Sequence, residues 1–226
     1  VAMHTHLAET LDEERFCLER FGRRPVELME DWGWLGEDVW FAHCVQLAEK
    51  DIRRIAETGS GVATCPSSNL RLGAGIAPVR ALVDEGARVG LGVDGSASNE
   101  PGDLFPEIRQ AMLVSRQGGP ERGLTAREAL RIATRGGAAV LGRDDVGSIE
   151  AGKRADLALF GVDDLAHAGS EADPVAGLLM GAARRVRHLL VEGRVVVRDG
   201  VLATADEDEI AREARRVGRR VAEART

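Results

Sequence analysis

The opening stretch, Val1-Ala-Met-His-Thr-His6-Leu-Ala-Glu9, decides the reading of the fold: a short apolar run that ends in histidine and runs straight into a carboxylate. Working outward, the same design recurs three times. Val39-Trp-Phe-Ala-His43 ends in histidine, Gly61-Val-Ala-Thr-Cys65 leads into Pro66-Ser67-Ser68-Asn69, and Arg88-Val-Gly-Leu-Gly-Val-Asp94 ends in an acid. Each run is short, rich in branched or aromatic residues and bounded by turn formers, which predicts a buried strand. Helical patterns over 11–30, 46–58 and 76–86 separate them. Successive strand ends lie roughly 20–40 residues apart, the length of strand–helix units joined in parallel. Reactive side chains gathered at one end of consecutive parallel strands are how a (β/α)8 barrel builds its site.

Composition sets the bounds. The 226 residues carry a net charge of −7, which argues against nucleic acid or an anionic membrane as partner. Of the thirty basic residues only Lys50 and Lys153 are lysine, a bias without functional weight. Three cysteines, an odd number without Cys-x-x-Cys spacing, argue against a disulfide framework, and the expected location is the reducing cytoplasm. No apolar stretch approaches the ~20 residues that span a bilayer. The chain starts inside a strand and without methionine, which reads as a truncation.

The texture changes near Gly147. Up to residue 146 strands and helices alternate, closing with helices expected over 103–116 and 125–141, the second opened by a Thr125/Glu128 capping box. From 147 to 206 short strands follow: Ser148-Ile149, 156–160, 186–191, 194–198 and Val201-Leu202. Glu192-Gly193 and Asp199-Gly200 are hairpin turn signals. This part reads as a portion of a small β-sandwich. Residues 207–226 form a terminal helix in which Ile210, Ala214, Val217 and Val221 recur at helical spacing, expected to dock on the barrel.

Several residues could carry chemistry. His4 and His6 alternate on one strand and so share a face, with Glu9 in the loop beyond. They are either a metal ligand beside an acid/base carboxylate or two ordinary strand histidines with a helix-capping glutamate. His43 is by itself a satisfied core residue, but it stands level with His6. Cys44 follows it, so a Cys/His nucleophile has to be weighed; adjacent strand residues face opposite ways, which turns Cys44 toward the helices and leaves it inert. Asp94 ends an uncharged strand and has to be paired, exposed or metal-bound. Gly90-Leu-Gly-Val-Asp-Gly95 also spells G-x-G-x-x-G, but its glycines lie within a strand, and Asp94 would sit where a phosphate belongs. Ser68 and Asn69 either hydrogen-bond a heteroaromatic ligand or orient neighbouring loops. Trp32, Trp34 and Trp40 read as packing, with one of them over the pocket.

Taken together, His6-Leu-Ala-Glu9, Ala42-His43, Cys65-Pro-Ser-Ser-Asn69, Val93-Asp94-Gly-Ser-Ala-Ser-Asn99 and Gly147-Ser-Ile-Glu-Ala-Gly-Lys-Arg-Ala-Asp156-Leu resemble the amidohydrolase superfamily, in its branch that deaminates purines, pterins and triazines. Within it, His4-Thr-His-Leu-Ala-Glu-Thr10, Phe16-Cys17 and Phe21-Gly-Arg-Arg-Pro25 look most like 8-oxoguanine deaminases.

The resemblance implies an α/β fold: the C-terminal half of a metal-dependent (β/α)8 TIM barrel, strands five to eight, over 1–146, followed by part of a β-sandwich over 147–206. It implies one divalent metal, Zn2+ with Fe2+ as the alternative, held by His6 and Asp94. Glu9, His43 and Asp94 become catalytic: Glu9 shuttles protons, His43 orients the attacking water and Asp94 takes its proton. Substrate contacts fall to Glu9, His43, Ser68 and Asn69. His4 matches a position that is not normally a ligand, and Thr64 stands where many relatives carry histidine. The implied reaction is hydrolytic deamination of a ring amine, 8-oxoguanine to urate and ammonia, with a hydroxy-s-triazine, a pterin or an adenosine derivative as alternatives. A non-catalytic degenerate barrel is the contrasting reading. The partner is a small heteroaromatic molecule, with no nucleic acid and no membrane, and a homo-oligomer is expected by analogy with the fold. The family's other metal ligands, a His-x-His ending the first strand, have no counterpart here, since His167 and His188 fall in the sandwich. The stretch alone is therefore expected to bind metal weakly and not to turn over.

Overall fold

The computed structural model describes residues 2–181 and 185–224; Val1, where the first strand was expected to begin, lies outside the described residues, as do 182–184 and 225–226. Four strands, β1 (Met3–Leu7), β2 (Val39–His43), β3 (Gly61–Thr64) and β4 (Arg88–Leu91), pair in parallel in sequence order. Register sets His4 beside Trp40, His6 beside Ala42, Ala42 beside Ala63 and Ala63 beside Gly90.

The sheet has two unlike faces because its side chains alternate. Leu7, Val39, Phe41, Val62 and Val89 are buried against helices, each such burial contributing about 1.5–3 kcal/mol. The other face carries His4, His6, Trp40, Ala42, Gly61, Ala63 and Gly90. Small residues there let large ones lie flat. A Cβ on Gly61 would stand 2.9 Å from Trp40 Cβ, and one on Gly90 3.0 Å from Gly137 Cα.

Helices cover the apolar face. The pattern over 11–30 resolves into α1 (Leu11–Phe21) and α2 (Pro25–Asp31). Gly22, at φ 66°, ends the first in the left-handed conformation, and Pro25 restarts the chain at the first helical position. After β2 comes α3 (Glu49–Glu57); after β3 come α4 (Pro66–Arg71) and α5 (Val79–Asp84); after β4 comes α6 (Leu104–Val114). The expected capping box opens α7 (Ala126–Arg131). A single helix does not follow: a π turn over Ile132–Gly136 separates α7 from α8 (Gly137–Val140). The wide turn lays the backbone against β4 so closely that a Cβ on Gly136 would stand 2.0 Å from the Val89 carbonyl oxygen.

The second sheet is antiparallel, β5 (Leu157–Leu159), β6 (His188–Val191), β7 (Arg194–Arg198) and β8 (Val201–Leu202), again in sequence order. Glu192-Gly193 and Asp199-Gly200 have positive φ at both positions, as tight hairpin turns require. Three expectations are corrected. Ser148-Ile149 is in no strand, and Ile149 is 88% exposed. His167 is not in the sandwich sheet: it is buried in the connection from β5 to β6, whose helix α9 (Pro174–Met180) packs on α6 and α7 through Leu179. Finally, α10 (Glu207–Glu223) buries no residue, leaving Ile210, Val217 and Val221 about half exposed, so it is not docked on the barrel helices. Amphipathic spacing shows that a helix has an apolar stripe and is silent on what covers it. Among the described residues no helix is long and apolar enough to cross a membrane.

Candidate active site

Among the described residues of the first half of the chain, four that are not glycine adopt the left-handed backbone, and all four sit where a strand of the first sheet gives way to its loop: Ala8 (φ 51°), His43 (69°), Cys44 (52°) and Asp94 (64°). Such conformations cost of order 1–3 kcal/mol each and persist only where surrounding contacts impose them. Here the contacts are visible. Ala8 donates its N–H to Glu13 Oε1 at 2.8 Å, and its carbonyl accepts the N–H groups of Val45 (2.9 Å) and Gln46 (2.8 Å). Cys44 N–H donates to the Leu7 carbonyl at 3.1 Å. The ends of β1 and β2 are thus tied to each other in strained but defined turns.

These turns bring His6, His43 and Asp94 together, with one donor atom from each lying within 4.8 Å of the others. Glu9 joins them, its Oε2 3.9 Å from His43 Nε2. The His6 and His43 rings stack at a centroid distance of 5.0 Å. Two imidazoles and a carboxylate gathered at one end of the sheet are donor types of hydrolytic zinc sites, so the residues present fit a divalent cation.

Buried polar groups hold two of the members, His43 and Asp94, in place. His43 is 1% exposed, and its Nδ1 lies 2.8 Å from Asn69 Oδ1. Asn69 in turn donates through Nδ2 to Thr64 Oγ1 at 3.4 Å. With the amide oxygen accepting, Nδ1 is the donor of this pair, which leaves Nε2 facing Glu9. Asp94 receives Ser68 Oγ and, at 3.1 Å, Ser98 Oγ on Oδ2, while Gly95 N–H donates to Oδ1 at 2.7 Å. Burial works against its charge, but the bonds from Ser68, Gly95 and Ser98, with His43 nearby, hold the carboxyl below its ordinary value. It stays ionised at neutral pH.

Beside the cluster lies a cavity of about 290 Å³ whose walls include His4, Trp40, Ala42 and Cys65. His4 stacks on Trp40 at 3.8 Å with the planes 10° apart, making a flat wall. Burial and the neighbouring His6 push the His4 pKa down, so the ring is neutral there. Trp40 is therefore the tryptophan over the pocket; Trp32 is 55% exposed and Trp34 packs on the core. Cys65 meets the cavity as a thiol, pushed up to about 12 by burial and by Asp94, Glu107 and Glu9. Cys44 is fully buried among core side chains, with its thiol pushed far up by burial, which excludes a Cys/His nucleophile.

Ser68 and Asn69, read from sequence as ligand contacts or loop anchors, are buried and directed at Asp94 and His43; neither lines the cavity. Three supporting residues were not singled out. Glu107, 1% exposed, accepts Ser67 N–H at 2.9 Å and Asn99 Nδ2 at 3.0 Å, tying α4 to the Asp94 loop. Ser98 holds Asp94, and Glu13 holds the loop bearing Glu9. For Glu13 a signal existed, since an acid three residues into a helix with threonine as its cap commonly reaches back. Glu107 has no such local signal, as its partners Ser67 and Asn99 lie 40 and 8 residues away, outside its own helix.

Comparison with known proteins places the chain in a family. Residues 1–217 match the amidohydrolase family. The chain is 49% identical over 207 residues to 8-oxoguanine deaminase of Pseudomonas aeruginosa, covering 91% of this chain and 46% of that protein. The atrazine chlorohydrolase TrzN from Arthrobacter aurescens TC1, solved in complex with zinc, superposes with a TM-score of 0.90 at 37% identity, over 94% of this chain and 48% of that one. An adenosine deaminase from Xanthomonas campestris with bound zinc gives a TM-score of 0.93 at 31% identity, over 99% and 51%. The chain thus spans about half the length of the relatives it matches.

Proposed function

This chain belongs to the amidohydrolase family, and on that premise we propose that it carries the proton-transfer apparatus and two metal ligands of an enzyme that hydrolytically deaminates an amino-substituted heteroaromatic ring. The substrate we assign is 8-oxoguanine, giving urate and ammonia, supported by the 49% identity to a deaminase of that name. The observation that carries the reading is the convergence of His6, His43 and Asp94 within 4.8 Å, with Glu9 at 3.9 Å from His43.

His6 and Asp94 would hold the cation, Zn2+ with Fe2+ as the alternative, which supplies the Lewis acidity that makes water nucleophilic near neutral pH. Asp94, kept ionised by Ser68, Ser98 and Gly95, accepts the proton of the attacking water. His43, its tautomer set by Asn69, directs Nε2 at that water. Glu9 delivers a proton to a ring nitrogen as the ring carbon is attacked, regains one from the adduct's hydroxyl as the carbonyl forms and passes it to the departing amine; the proton held by Asp94 then restores Glu9, so that water and ring amine become ring carbonyl and ammonia. The His4–Trp40 wall offers a flat aromatic surface suited to a planar ring. Three free, buried cysteines fit the reducing cytoplasm as the place of this reaction.

The test is ammonia and urate release from 8-oxoguanine by the product of the complete gene. Equimolar release of both is the expected result. A folded, metal-loaded protein that releases neither, but deaminates a pterin, a hydroxytriazine or an adenosine derivative, would keep the chemistry and discard the substrate. Likeness to the atrazine chlorohydrolase TrzN, at a TM-score of 0.90, makes the hydroxytriazine the first alternative to try.

A further inference from the structure

Glu13 is an acid in the first turn of α1, and its carboxylate does something a helix cap does not require. A capping box sends the third helical residue back to the N–H of the cap itself, here Thr10. Glu13 instead reaches past the cap, accepting Ala8 N–H on Oε1 and Glu9 N–H on Oε2, each at 2.8 Å. Neither donor belongs to the helix, so the contact serves the loop. Ala8 is left-handed at φ 51°, and successive N–H groups around such a residue converge on one point to form an anion-binding concavity. The anion that fills it is part of the chain. Glu13 is itself anchored, since its N–H donates to Thr10 Oγ1 at 3.3 Å and its backbone belongs to α1. The neighbouring acids are engaged elsewhere, Asp12 with Arg15 and Glu14 with Arg24.

We propose that Glu13 is the positioning residue for Glu9. The inference rests on the assignment of Glu9 as proton shuttle. Glu9 lies between a strand and a helix, with no regular backbone pairing of its own to fix it, and its carboxylate has to stay within reach of the ring nitrogen throughout turnover. Two charge-assisted bonds to consecutive N–H groups, one of them its own, lock the main chain from which that side chain springs. Glu13 touches neither substrate nor reacting atoms; it acts through the backbone.

The experiment uses the complete gene product and compares Glu13→Gln, Glu9→Gln and the double variant, with 8-oxoguanine as substrate. Glutamine has one acceptor oxygen and would aim its NH2 at the second N–H. The expected result is a fall in kcat of about 10- to 100-fold, the scale of a slightly misplaced catalytic group. KM and bound metal should not change, and amide exchange at residues 8 and 9 should quicken. In the Glu9→Gln background the same substitution should cost nothing further. An equal loss in both backgrounds would show that Glu13 merely supports the fold, and unchanged exchange would show that the clamp is not used. Should Glu13→Gln fail to fold, Glu13→Asp keeps the charge at the helix start but recedes by one methylene. It should lower kcat and quicken exchange in the same way, and wild-type values for both would overturn the inference. Full turnover by Glu9→Gln would remove the underlying assignment and the inference with it. An inactive Glu9→Gln beside an unimpaired Glu13→Gln would overturn the inference alone.

Discussion

His43 Nδ1 and Asn69 Oδ1 stand 2.8 Å apart in a site where both residues are 1% exposed, and this pair decides which imidazole nitrogen faces the chemistry. Replacing Asn69 by alanine strands a buried ring N–H, at a cost of about 1–3 kcal/mol in stability. It also frees the imidazole to exchange tautomers. The expected outcome for Asn69→Ala is a lower denaturation midpoint together with a lower kcat. A destabilised variant with wild-type kcat would show that Nε2 is not the working nitrogen.

Glu9→Gln keeps the shape of the side chain and removes the proton it transfers. Its rate should fall by about 10²–10⁴, the usual contribution of a general acid/base, with metal content unchanged by elemental analysis. Near-normal turnover would take Glu9 out of the reaction.

Ser68 donates to Asp94 and also lies 2.8 Å from Ser98, so the two hydroxyls act as one support. Losing a group that orients a metal ligand typically weakens metal affinity by about 10- to 100-fold. Ser68→Ala should therefore raise the dissociation constant for zinc, read by competition with a chelator. Unaltered affinity would mean that Ser98 and Gly95 suffice to hold the carboxylate.

The three cysteines are free and buried. With Cys44 and Cys65 both held as thiols, the folded protein should resist iodoacetamide at pH 8, and the unfolded protein should react fully. Rapid labelling of either residue in the folded state would reopen a thiolate role.

Away from the site, Glu128 pairs with Arg80 across α7 and α5. The Arg80 guanidinium, with the Thr125 N–H, holds its carboxyl at about 2, against an ordinary 4.5. A depressed acid adds stability above its unfolded pKa and loses it as pH falls toward the folded one. The stability gap between wild type and Glu128→Gln should thus be constant above about pH 5 and close toward pH 2. Urea titrations across that range would measure it, and a gap that widens in acid would refute the pairing.

Much of the first sheet was legible because each strand ends abruptly: the apolar run of β1 stops at His6-Leu7, that of β2 at His43, and Asp94 lies just past β4. Burial explains the apolar part and the turn explains the break. Pro66-Ser-Ser-Asn69 was not legible as α4, because six residues are too few for a periodic pattern and proline, serine and asparagine favour turns. Its two site side chains have the hydroxyl and amide that would suit a ligand. Only their closeness in space to Asp94 and His43, 26 residues away in each case, shows what they hold. The π turn before α8 was hidden for a different reason: Gly136-Gly137 looks like weak helix, and the strand it approaches lies far away in sequence. Likewise α10 announced its apolar stripe, but no local pattern can say whether a surface covers it.

The left-handed turns at Ala8, His43 and Asp94 store the aim of the site in main-chain torsions. Gly95 and Ser98 still hold the Asp94 carboxylate, but the exposed residues between them share less of that duty. Segments such as Ser96-Ala97, exposed just past Asp94, can change in size and chemistry without redirecting a single donor atom. A lineage could therefore trade one flat ring for another by exchanging these outer segments, and a protein engineer could graft them between relatives as cassettes. At the turns themselves the left-handed backbone would tolerate β-branched residues and proline worst.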